Sequence, residues 1–395
     1  MQVQLIGSNY REESHMTEKS RKRVVQITIT ERCNLNCVYC YEHAKDCNSL
    51  TVDQVKEILL HELTDTRFDE LEFDFHGGEP ALAFHILKPV CEWLWSQPIK
   101  KPYMCFASTN GTFIHGEIQE WFRKNAKRFW LSLSLDGTRE MHNLNRSFSY
   151  DDIDIDFFRE MWPNQTIKMT ISPQTLPNLA DGIRHIHSLG FELTANLAHG
   201  MSWTPSLIGL YRGELHKIAE YYLSDPQHKP CRVVNFNLTK IGMEALHPEL
   251  KQLRRKWCGA GEPMVCYAVN GKTYPCQLFA PSSTSPDVDR VMERWDFTDI
   301  NNFVDPMCKG CCLDGACPTC YGMNYFESGT LHTRPKDMCP FLKCEAFATS
   351  YLYGMMLTDV KRYPVVAELS DADKLAYIKG IEIVQGKLAD EVARY

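Results

Sequence analysis

The sequence predicts an α/β fold in which a parallel sheet alternates with helices. Short β-branched or apolar runs recur through residues 24–200, and helical patterns lie between most of them. Strand–helix alternation at this spacing is typical of βαβ units. Six strand candidates are present, which predicts an open, partial (β/α)6 barrel rather than a closed eight-stranded one.

The individual elements follow from local patterns. Ser49 and Thr51 can cap a helix whose apolar residues Val52, Val55 and Leu59 share one face. Further helices are predicted through Leu82–Leu94 and over residues 176–190. The six predicted strands cover 24–30, 71–76, 103–108, 129–135, 167–172 and 191–197.

The pattern changes near residue 205. A helical segment at 206–224 leads into a turn-rich region, in which Asn270-Gly271 between two β-type runs indicates a hairpin. Helices are predicted again near 345–359 and 371–393. The predicted organisation is an N-terminal tail (1–22), the partial barrel (23–205), a helical linker (206–256), a cysteine-rich domain (257–345) and C-terminal helices (346–395).

Composition excludes several classes of protein. The 395 residues are 44% hydrophobic and 24% charged, as expected for a globular protein of one large and one smaller domain. No apolar run approaches the roughly 20 residues of a membrane span, and the N-terminus lacks the pattern of a signal peptide. With a net charge of −7 and one short basic cluster, Arg21–Arg23, we expect a cytoplasmic protein that binds neither nucleic acid nor membrane.

The cysteines are numerous and clustered. Of 17, three lie at 33–40 and ten between Cys258 and Cys344. In a reducing compartment, such clusters favour metal binding or catalysis over disulfides. The region 257–345 has little helical periodicity, so we expect bound metal to supply part of its folding free energy.

The first cluster has the spacing C-x3-C-x2-C and follows the first predicted strand. Three thiolates leave one coordination position open, which is typical of a reactive metal centre. The alternative is a zinc site with His43 as fourth ligand. The segments "HGGEP" (76–80), "TNGT" (109–112) and "SLDG" (134–137) also lie at strand ends. The four segments are therefore expected to meet at one rim of the sheet.

Together these motifs resemble the radical S-adenosylmethionine (SAM) superfamily over about residues 24–200. The resemblance implies a 4Fe–4S cluster on Cys33, Cys37 and Cys40, whose open iron binds the amino and carboxylate groups of SAM. It implies reductive cleavage of SAM to a 5′-deoxyadenosyl radical that removes hydrogen from a substrate. The residues it assigns to SAM are Gly77, Gly78 and Glu79 at the methionine end, Ser134 at the ribose or carboxylate, the backbone near Tyr39 at the adenine, and Asn110 of "TNGT".

The second group of cysteines resembles the SPASM extension, which carries two auxiliary 4Fe–4S clusters. The resemblance implies Cys258, Cys276 and Cys320 for one cluster, and Cys308, Cys311, Cys317 and Cys339 for the other. A zinc ribbon is the alternative for this segment.

Three ligand assignments in this region stay open. Cys266 is either the fourth ligand of the first auxiliary cluster or a thiol packed in a strand, which would leave one iron open. The quartet ends in x2 rather than the family's x3, which leaves the place of Cys320 open, and Cys312 is an extra thiol beside Cys311 that could substitute in register. Cys344 competes with Cys339 as last ligand, and we favour Cys339 because "CPFLK" resembles the family's closing segment.

Other candidates have structural alternatives. The segment with His142, Asn145 and Arg146 either matches a stretch that follows "SLDG" in the radical SAM family or forms a polar network at the start of a helix. Asp136 contacts substrate or forms a turn, and Tyr274 is expected in the core.

The resemblance implies a maturase of ribosomally made precursor peptides that forms a cross-link, thioether or similar product. An anaerobic sulfatase maturase is the second hypothesis, but Gln277 replaces that family's catalytic Asp and His76 its usual Gln. A zinc-stabilised binding module without turnover is the third. Expected partners are the precursor peptide and an electron donor such as flavodoxin or ferredoxin. Because only about 22 residues precede the first strand, we expect a leader peptide to bind either a separate recognition protein or the enzyme's own surface.

Overall fold

Eight strands form two sheets. The computed structural model describes residues 21–43, 46–252, 256–283 and 288–395; most of the predicted tail, 1–22, lies outside them. A six-stranded sheet has the order β4-β3-β2-β1-β7-β8, and β5 pairs with β6. The strands are β1 Lys22–Thr30, β2 Glu70–Gly77, β3 Tyr103–Thr109, β4 Phe129–Leu133, β5 Thr166–Ile171, β6 Glu192–Leu197, β7 Met264–Tyr267 and β8 Thr273–Tyr274.

Helices follow most of the strands. They are α1 Val52–Thr64, α2 Phe84–Ser96, α3 Gly116–Asn125, α4 Arg139–Asn145, α5 Ile155–Met161, α6 Leu179–Ser188, α7 Ile208–Ser224, α8 Leu238–Leu246, α9 Asp289–Arg294, α10 Tyr321–Ser328, α11 Cys339–Thr358, α12 Pro364–Ala367 and α13 Asp371–Ala393. Within the described ranges, every helix is either too short or too polar to span a lipid bilayer.

The predicted partial (β/α)6 barrel is confirmed. Strands β1 to β4 are parallel neighbours in chain order. An isolated parallel bridge between Ser134 and Lys168 leads from the end of β4 to β5. The predicted cap of α1 is also present. The backbone N–H of Gln54 donates to the Thr51 hydroxyl, and the backbone N–H of Thr51 donates to the side-chain oxygen of Gln54. The cysteine-rich region is less irregular than expected, because it contains α9 and α10.

Strand β7 extends the sheet on the other side of β1, which the sequence analysis does not predict. The two strands are parallel, with Gln26 opposite Cys266. A buried ion pair supports this arrangement: Arg23 of β1 lies 2.7 Å from Glu62 of α1. The hydroxyl of Tyr267 in β7 donates to the same carboxylate at 2.7 Å. The Glu62 carboxylate of α1 therefore contacts both β1 and β7.

The predicted hairpin joins β7 and β8. Cys266 pairs with Tyr274 and Tyr267 with Thr273 in antiparallel register. Gly271 has a φ of +76°, a conformation that glycine adopts at little cost.

The chain divides into two compact units. One comprises the described residues up to Leu135, with Arg146–Lys168 and Gly259–Thr298; the other comprises Asp136–Asn145, Met169–Cys258 and Asp299–Tyr395. These divisions differ from the expected boundaries at 205, 256 and 345, because the β7–β8 hairpin pairs with β1. The functional domain boundaries stay a prediction.

Helices α7, α8, α11 and α13 pack together in the second unit. Glycines allow close contact between α8 and α13. A Cβ atom on Gly242 would lie 1.8 Å from the carbonyl oxygen of Ala376, and one on Gly380 would lie 2.2 Å from that of Leu238. The C-terminal helices are thus an integral part of this unit.

Candidate functional site

Cys33, Cys37 and Cys40 lie in the loop that directly follows β1. All three are partly exposed free thiols. The backbone N–H of Cys40 donates to the carbonyl of Cys37 at 3.1 Å. In the part of the chain that the structure describes, no ligand atoms of these cysteines and His43 converge within 4.8 Å as a group of three. Three thiolates carried by one loop are a donor set that a 4Fe–4S cluster with one open iron uses.

Polar side chains hold this loop against its neighbours. The Asn34 side chain donates to Thr112 Oγ1 at 2.8 Å and accepts from Asn110 Nδ2 at 3.0 Å. The backbone N–H of Asn36 donates to Ser147 Oγ at 2.8 Å. The segment "TNGT" after β3 therefore contacts the cysteine loop directly, as the rim arrangement predicts.

Gly77 and Gly78 follow β2. They were expected to let backbone approach a ligand, and the structure gives a second reason for them. A Cβ atom on Gly77 would lie 2.2 Å from the carbonyl oxygen of Thr30, and one on Gly78 would lie 2.5 Å from that of Arg32. The glycines thus let the loop after β2 pack on the base of the cysteine loop.

Glu79 is almost fully buried and joins three segments. Its carboxylate accepts hydrogen bonds from the backbone N–H of Asn110 at 2.7 Å, from Thr109 Oγ1 at 2.8 Å and from the backbone N–H of Ala81 at 3.0 Å. Burial raises the pKa of Glu79, and these hydrogen bonds oppose that shift. A carboxylate has about four acceptor positions, so roughly one is left for a ligand.

Tyr39, Ser134 and Arg146 belong to the same unit as this rim. The Arg146 guanidinium lies 5.5 Å from the centre of the Tyr39 ring. The backbone N–H of Ser134 donates to the carbonyl of Thr109. Arg146 is also close enough to Glu79 for its charge to act on that carboxyl.

Asp136, His142 and Asn145 are fully buried in the second unit. The Asp136 carboxylate accepts from Asn145 Nδ2 at 3.1 Å and from the Thr170 backbone at 2.9 Å. This geometry fits the polar-network alternative. Tyr274 is buried, as expected, and its hydroxyl donates to Asp289.

A cavity of about 440 Å³ in the second unit brings together five cysteines. They are Cys308, Cys311, Cys317, Cys320 and Cys339. Cys312 and Cys344 are not among the lining residues. The Cys312 thiol hydrogen-bonds to Cys311, which lowers the pKa of Cys311 to about 6 and raises that of Cys312. Cys344 is buried in α11. Five cysteines that line one cavity are a donor set for an iron–sulfur cluster.

Basic side chains surround these thiols. Arg334 donates to the carbonyl of Cys317 at 3.1 Å. Lys343 lines the cavity and pairs with Glu391 at 2.7 Å. Burial raises the pKa of Cys308, Cys317 and Cys339, and the charges of Arg334 and Lys343 oppose that shift.

Three further predicted cluster ligands, Cys258, Cys276 and Cys266, do not line this cavity. Cys258 is close to Cys320, and the Trp257 backbone donates to the Tyr321 hydroxyl at 2.7 Å. Cys276 is buried at the end of the β7–β8 hairpin. Cys266 is fully buried in β7 with its Sγ 3.6 Å from Thr28 Oγ1, and burial raises its pKa to about 12.

The sheet of the first unit has a polar face, which the sequence analysis missed. Gln26 and Thr28 of β1 lie opposite Asp74 and His76 of β2, while the residues between them are fully buried apolar side chains. Strands covered on both faces are usually continuously apolar. The alternation in "QITIT" and "LEFDFH" was the available signal for this polar face.

Lys168 of β5 belongs to the same polar face. Its amino group donates to Ser108 Oγ at 2.5 Å and lies 4.9 Å from the Phe106 ring centre. Burial lowers the pKa of Lys168, and the charges of Asp74 and Glu72 oppose that shift. The side chain is nevertheless exposed to water.

His187, Glu192 and His228 form a compact group of possible metal ligands. The His187 ring contacts the Phe191 carbonyl at 2.9 Å through Nδ1 and the Tyr222 hydroxyl at 3.0 Å through Nε2. Both nitrogens are therefore in use, and a metal would have to displace one of these contacts. We interpret His187 as a core histidine.

Three comparisons place this geometry among known proteins. Residues 27–197 match the family described as the radical SAM superfamily. The cysteine-type anaerobic sulfatase-maturating enzyme of Clostridium perfringens is 32% identical over 123 residues, 29% of this chain and 32% of that enzyme. The Fe-coproporphyrin III synthase of Methanosarcina barkeri is 35% identical over 135 residues, 33% of this chain and 32% of the synthase. The chain thus spans about a third of the length of these curated relatives.

Solved structures resemble this chain over a larger share of its length. Native anSMEcpe with bound AdoMet has a TM-score of 0.64 at 18% identity, covering 85% of this chain and 99% of that one. Streptococcus suis SuiB bound to precursor peptide SuiA has a TM-score of 0.52 at 16% identity, covering 80% and 76%. At these identities the likeness concerns the fold.

Proposed function

Because residues 27–197 of this enzyme belong to the radical SAM superfamily, we propose that it matures a ribosomally made precursor peptide. The chemistry is hydrogen abstraction followed by formation of a cross-link, thioether or related bond. The observation that carries the proposal is the hydrogen-bonded junction of the cysteine loop, Glu79 and Asn110 at one rim of the sheet.

The chain's own residues would hold the cofactors at this rim. Cys33, Cys37 and Cys40 would bind the 4Fe–4S cluster, and Glu79 would accept a hydrogen bond from the SAM ammonium. When bound, the cluster supplies the electron that cleaves SAM to the radical that abstracts hydrogen. The remaining SAM contacts in this proposal are Tyr39, Gly77, Gly78, Asn110 and Ser134.

Two auxiliary 4Fe–4S clusters would bring the total to three. Cys308, Cys311, Cys317 and Cys339 would hold one of them, because they line a common cavity with basic neighbours. Cys312 and Cys344 fit less well, since neither lines that cavity. Cys258, Cys276 and Cys320 would hold the other.

Cys266 is the uncertain ligand of that first auxiliary cluster. Its complete burial in β7 and its contact with Thr28 favour a packed thiol. We therefore favour three protein ligands and one open iron for this cluster over ligation by Cys266.

A peptide is the proposed substrate class for two reasons. SuiB and anSMEcpe, whose folds are similar, have structures with a bound precursor peptide and with the Cp18Cys peptide. The polar wall formed by Gln26, Asp74, His76 and Lys168 could bind a peptide's amides and side chains. Proposed partners also include a flavodoxin or ferredoxin as electron donor and a separate leader-binding protein. Cytoplasmic location would preserve the thiols.

Formylglycine formation is the second candidate, because the anSMEcpe likeness spans 99% of that chain. Gln277 opposes it, since an amide cannot take a proton from a substrate.

Anaerobic reconstitution tests the proposal. The enzyme is supplied with iron, sulfide, SAM, dithionite and each short peptide encoded beside its gene. We expect 5′-deoxyadenosine and a peptide lighter by two hydrogens in the mass spectrum. Stoichiometric zinc without iron, or formylglycine on a sulfatase-type peptide, would contradict the proposal.

A further inference from the structure

Lys168 is a cation on the polar face of the first unit's sheet. An isolated parallel bridge pairs it with Ser134, just beyond the end of β4. Its side chain extends past β4, because its ammonium donates to Ser108 Oγ of β3 at 2.5 Å. Within the described ranges Lys168 forms no ion pair, and its side chain is exposed. Its positive charge is therefore available to an anion.

Two contacts hold the Lys168 ammonium in place. One is the Ser108 hydrogen bond, and the other is the ring of Phe106, whose centre lies 4.9 Å from Nζ. Phe106 is the neighbour of Asp74 across β2 and β3. The Asp74 carboxylate accepts a hydrogen bond from Gln26 Nε2 at 3.4 Å. The lysine is thus ordered by an aromatic ring and a hydroxyl instead of by a countercharge.

The ammonium has hydrogen bonds left for a ligand. Lysine has three N–H donors, and Ser108 uses one of them. Burial lowers the pKa of Lys168, while the charges of Asp74 and Glu72 oppose that shift. Glu72 is already paired with Lys22 at 2.7 Å. A bound anion would therefore stabilise this cation more than it stabilises a lysine surrounded by water.

A group bound to Lys168 would lie beside the proposed SAM site. Ser134, its bridge partner, is one of the proposed SAM contacts. Ser108 directly precedes Thr109, whose hydroxyl donates to Glu79. All of these residues belong to the first unit. The amino and carboxylate groups of SAM are assigned to the open iron of the cluster, so the anion for this ammonium is expected from the substrate.

We propose that Lys168 binds a carboxylate of the peptide substrate and so holds the residue to be modified beside SAM. This rests on the proposed function. The carboxylate belongs to an Asp or Glu side chain or to the C-terminus of the peptide. It accepts the N–H groups that Ser108 leaves unused and replaces water at the ammonium. Binding forms hydrogen bonds only, and no covalent bond changes.

Acylation of lysines tests the anion site without any peptide. The holoenzyme with SAM is treated with N-hydroxysuccinimidyl acetate, and site-resolved mass spectrometry gives the rate at Lys168 relative to Lys124, an exposed residue of α3. Glutarate should slow the reaction at Lys168 in proportion to its concentration, because a bound carboxylate covers the amine and keeps it protonated. Neutral glutaramide should have no effect. Equal protection of both lysines, no protection of Lys168, or no acylation there would overturn the site.

A second measurement identifies the carboxylate, with the peptide that the wild type modifies. Lys168→Met should lower kcat/KM about tenfold, mainly through KM, and Lys168→Arg should restore most of it. Lys124→Met is the matched control. The peptide is then neutralised at one carboxylate at a time, by Asp→Asn, Glu→Gln or a C-terminal amide. The change that makes wild type and Lys168→Met equal shows whether a side chain or the C-terminus is bound.

Three results of this series would refute the proposal. They are an unchanged KM in Lys168→Met, a loss that persists with every neutralised peptide, and an equal loss of affinity for SAM measured by calorimetry. If no peptide is modified at all, the proposed function fails, while the acylation result still decides whether Lys168 binds a carboxylate.

Discussion

At the residue scale, buried carboxylates and amides hold the candidate site together. The motifs that follow each strand could be predicted from sequence, because their spacing is local. The partners of Glu79 could not, since Thr109 and Asn110 lie some 30 residues away and meet it only through strand pairing. The Lys168–Ser108 contact was missed for the same reason.

Glu79→Gln should weaken SAM binding about tenfold or more, or roughly 1.4 kcal/mol. The NH₂ group that replaces one carboxylate oxygen only donates, so it can accept neither the Asn110 N–H nor a ligand ammonium. Titration calorimetry with SAM on the reconstituted enzyme checks this, with Glu57→Gln as control. Unchanged affinity would leave Glu79 a structural role only.

Gln277→Asp should not produce formylglycine on a sulfatase-type peptide, and neither should the wild type. The wild type has an amide at position 277, which cannot take a proton from a substrate. Mass spectrometry of the peptide is the measurement. Formylglycine from either protein would overturn the assignment to peptide maturases.

At the element scale, the six barrel strands and the long C-terminal helices were predictable from their apolar periodicity. The docking of β7 beside β1 was not, because a parallel pairing over more than 200 residues leaves no local pattern. The β7–β8 hairpin itself was predictable, because Asn-Gly is a short-range signal for a hairpin turn. Its position in the sheet is specified by contacts such as Tyr267 to Glu62.

Cys266→Ala tests whether β7 contributes a ligand. A packed thiol predicts unchanged iron content and an unchanged auxiliary paramagnetic resonance spectrum, with only a small loss of stability. Cys105→Ala, another fully buried thiol in the same sheet, is the matched control. Loss of about four irons per chain in Cys266→Ala alone would show that Cys266 is a ligand.

Gly242→Ala should destabilise the second unit by about 1–3 kcal/mol, because the new Cβ overlaps the Ala376 carbonyl. Gly386→Ala is the control, since its Cβ meets no atom within 4 Å and alanine favours a helix by up to about 1 kcal/mol. Denaturant unfolding of both variants measures the difference. Equal stability would contradict the close packing of α8 on α13.

At the scale of the whole molecule, the cysteines separate into groups with different surroundings. The loop with Cys33, Cys37 and Cys40 belongs to the first unit and the five-cysteine cavity to the second. The resemblance predicted these groups and favoured Cys339 over Cys344, and the fold adds that Cys339 lines the cavity while Cys344 is buried in α11.

The most direct test of the account is 5′-deoxyadenosine formation by the triple variant Cys33→Ala, Cys37→Ala, Cys40→Ala beside the wild type, both reconstituted anaerobically. If these three thiols hold the cluster that cleaves SAM, the variant should form no 5′-deoxyadenosine and should contain about four fewer irons per chain, with the auxiliary clusters retained. Undiminished 5′-deoxyadenosine from the variant would contradict the assignment of radical chemistry to this loop.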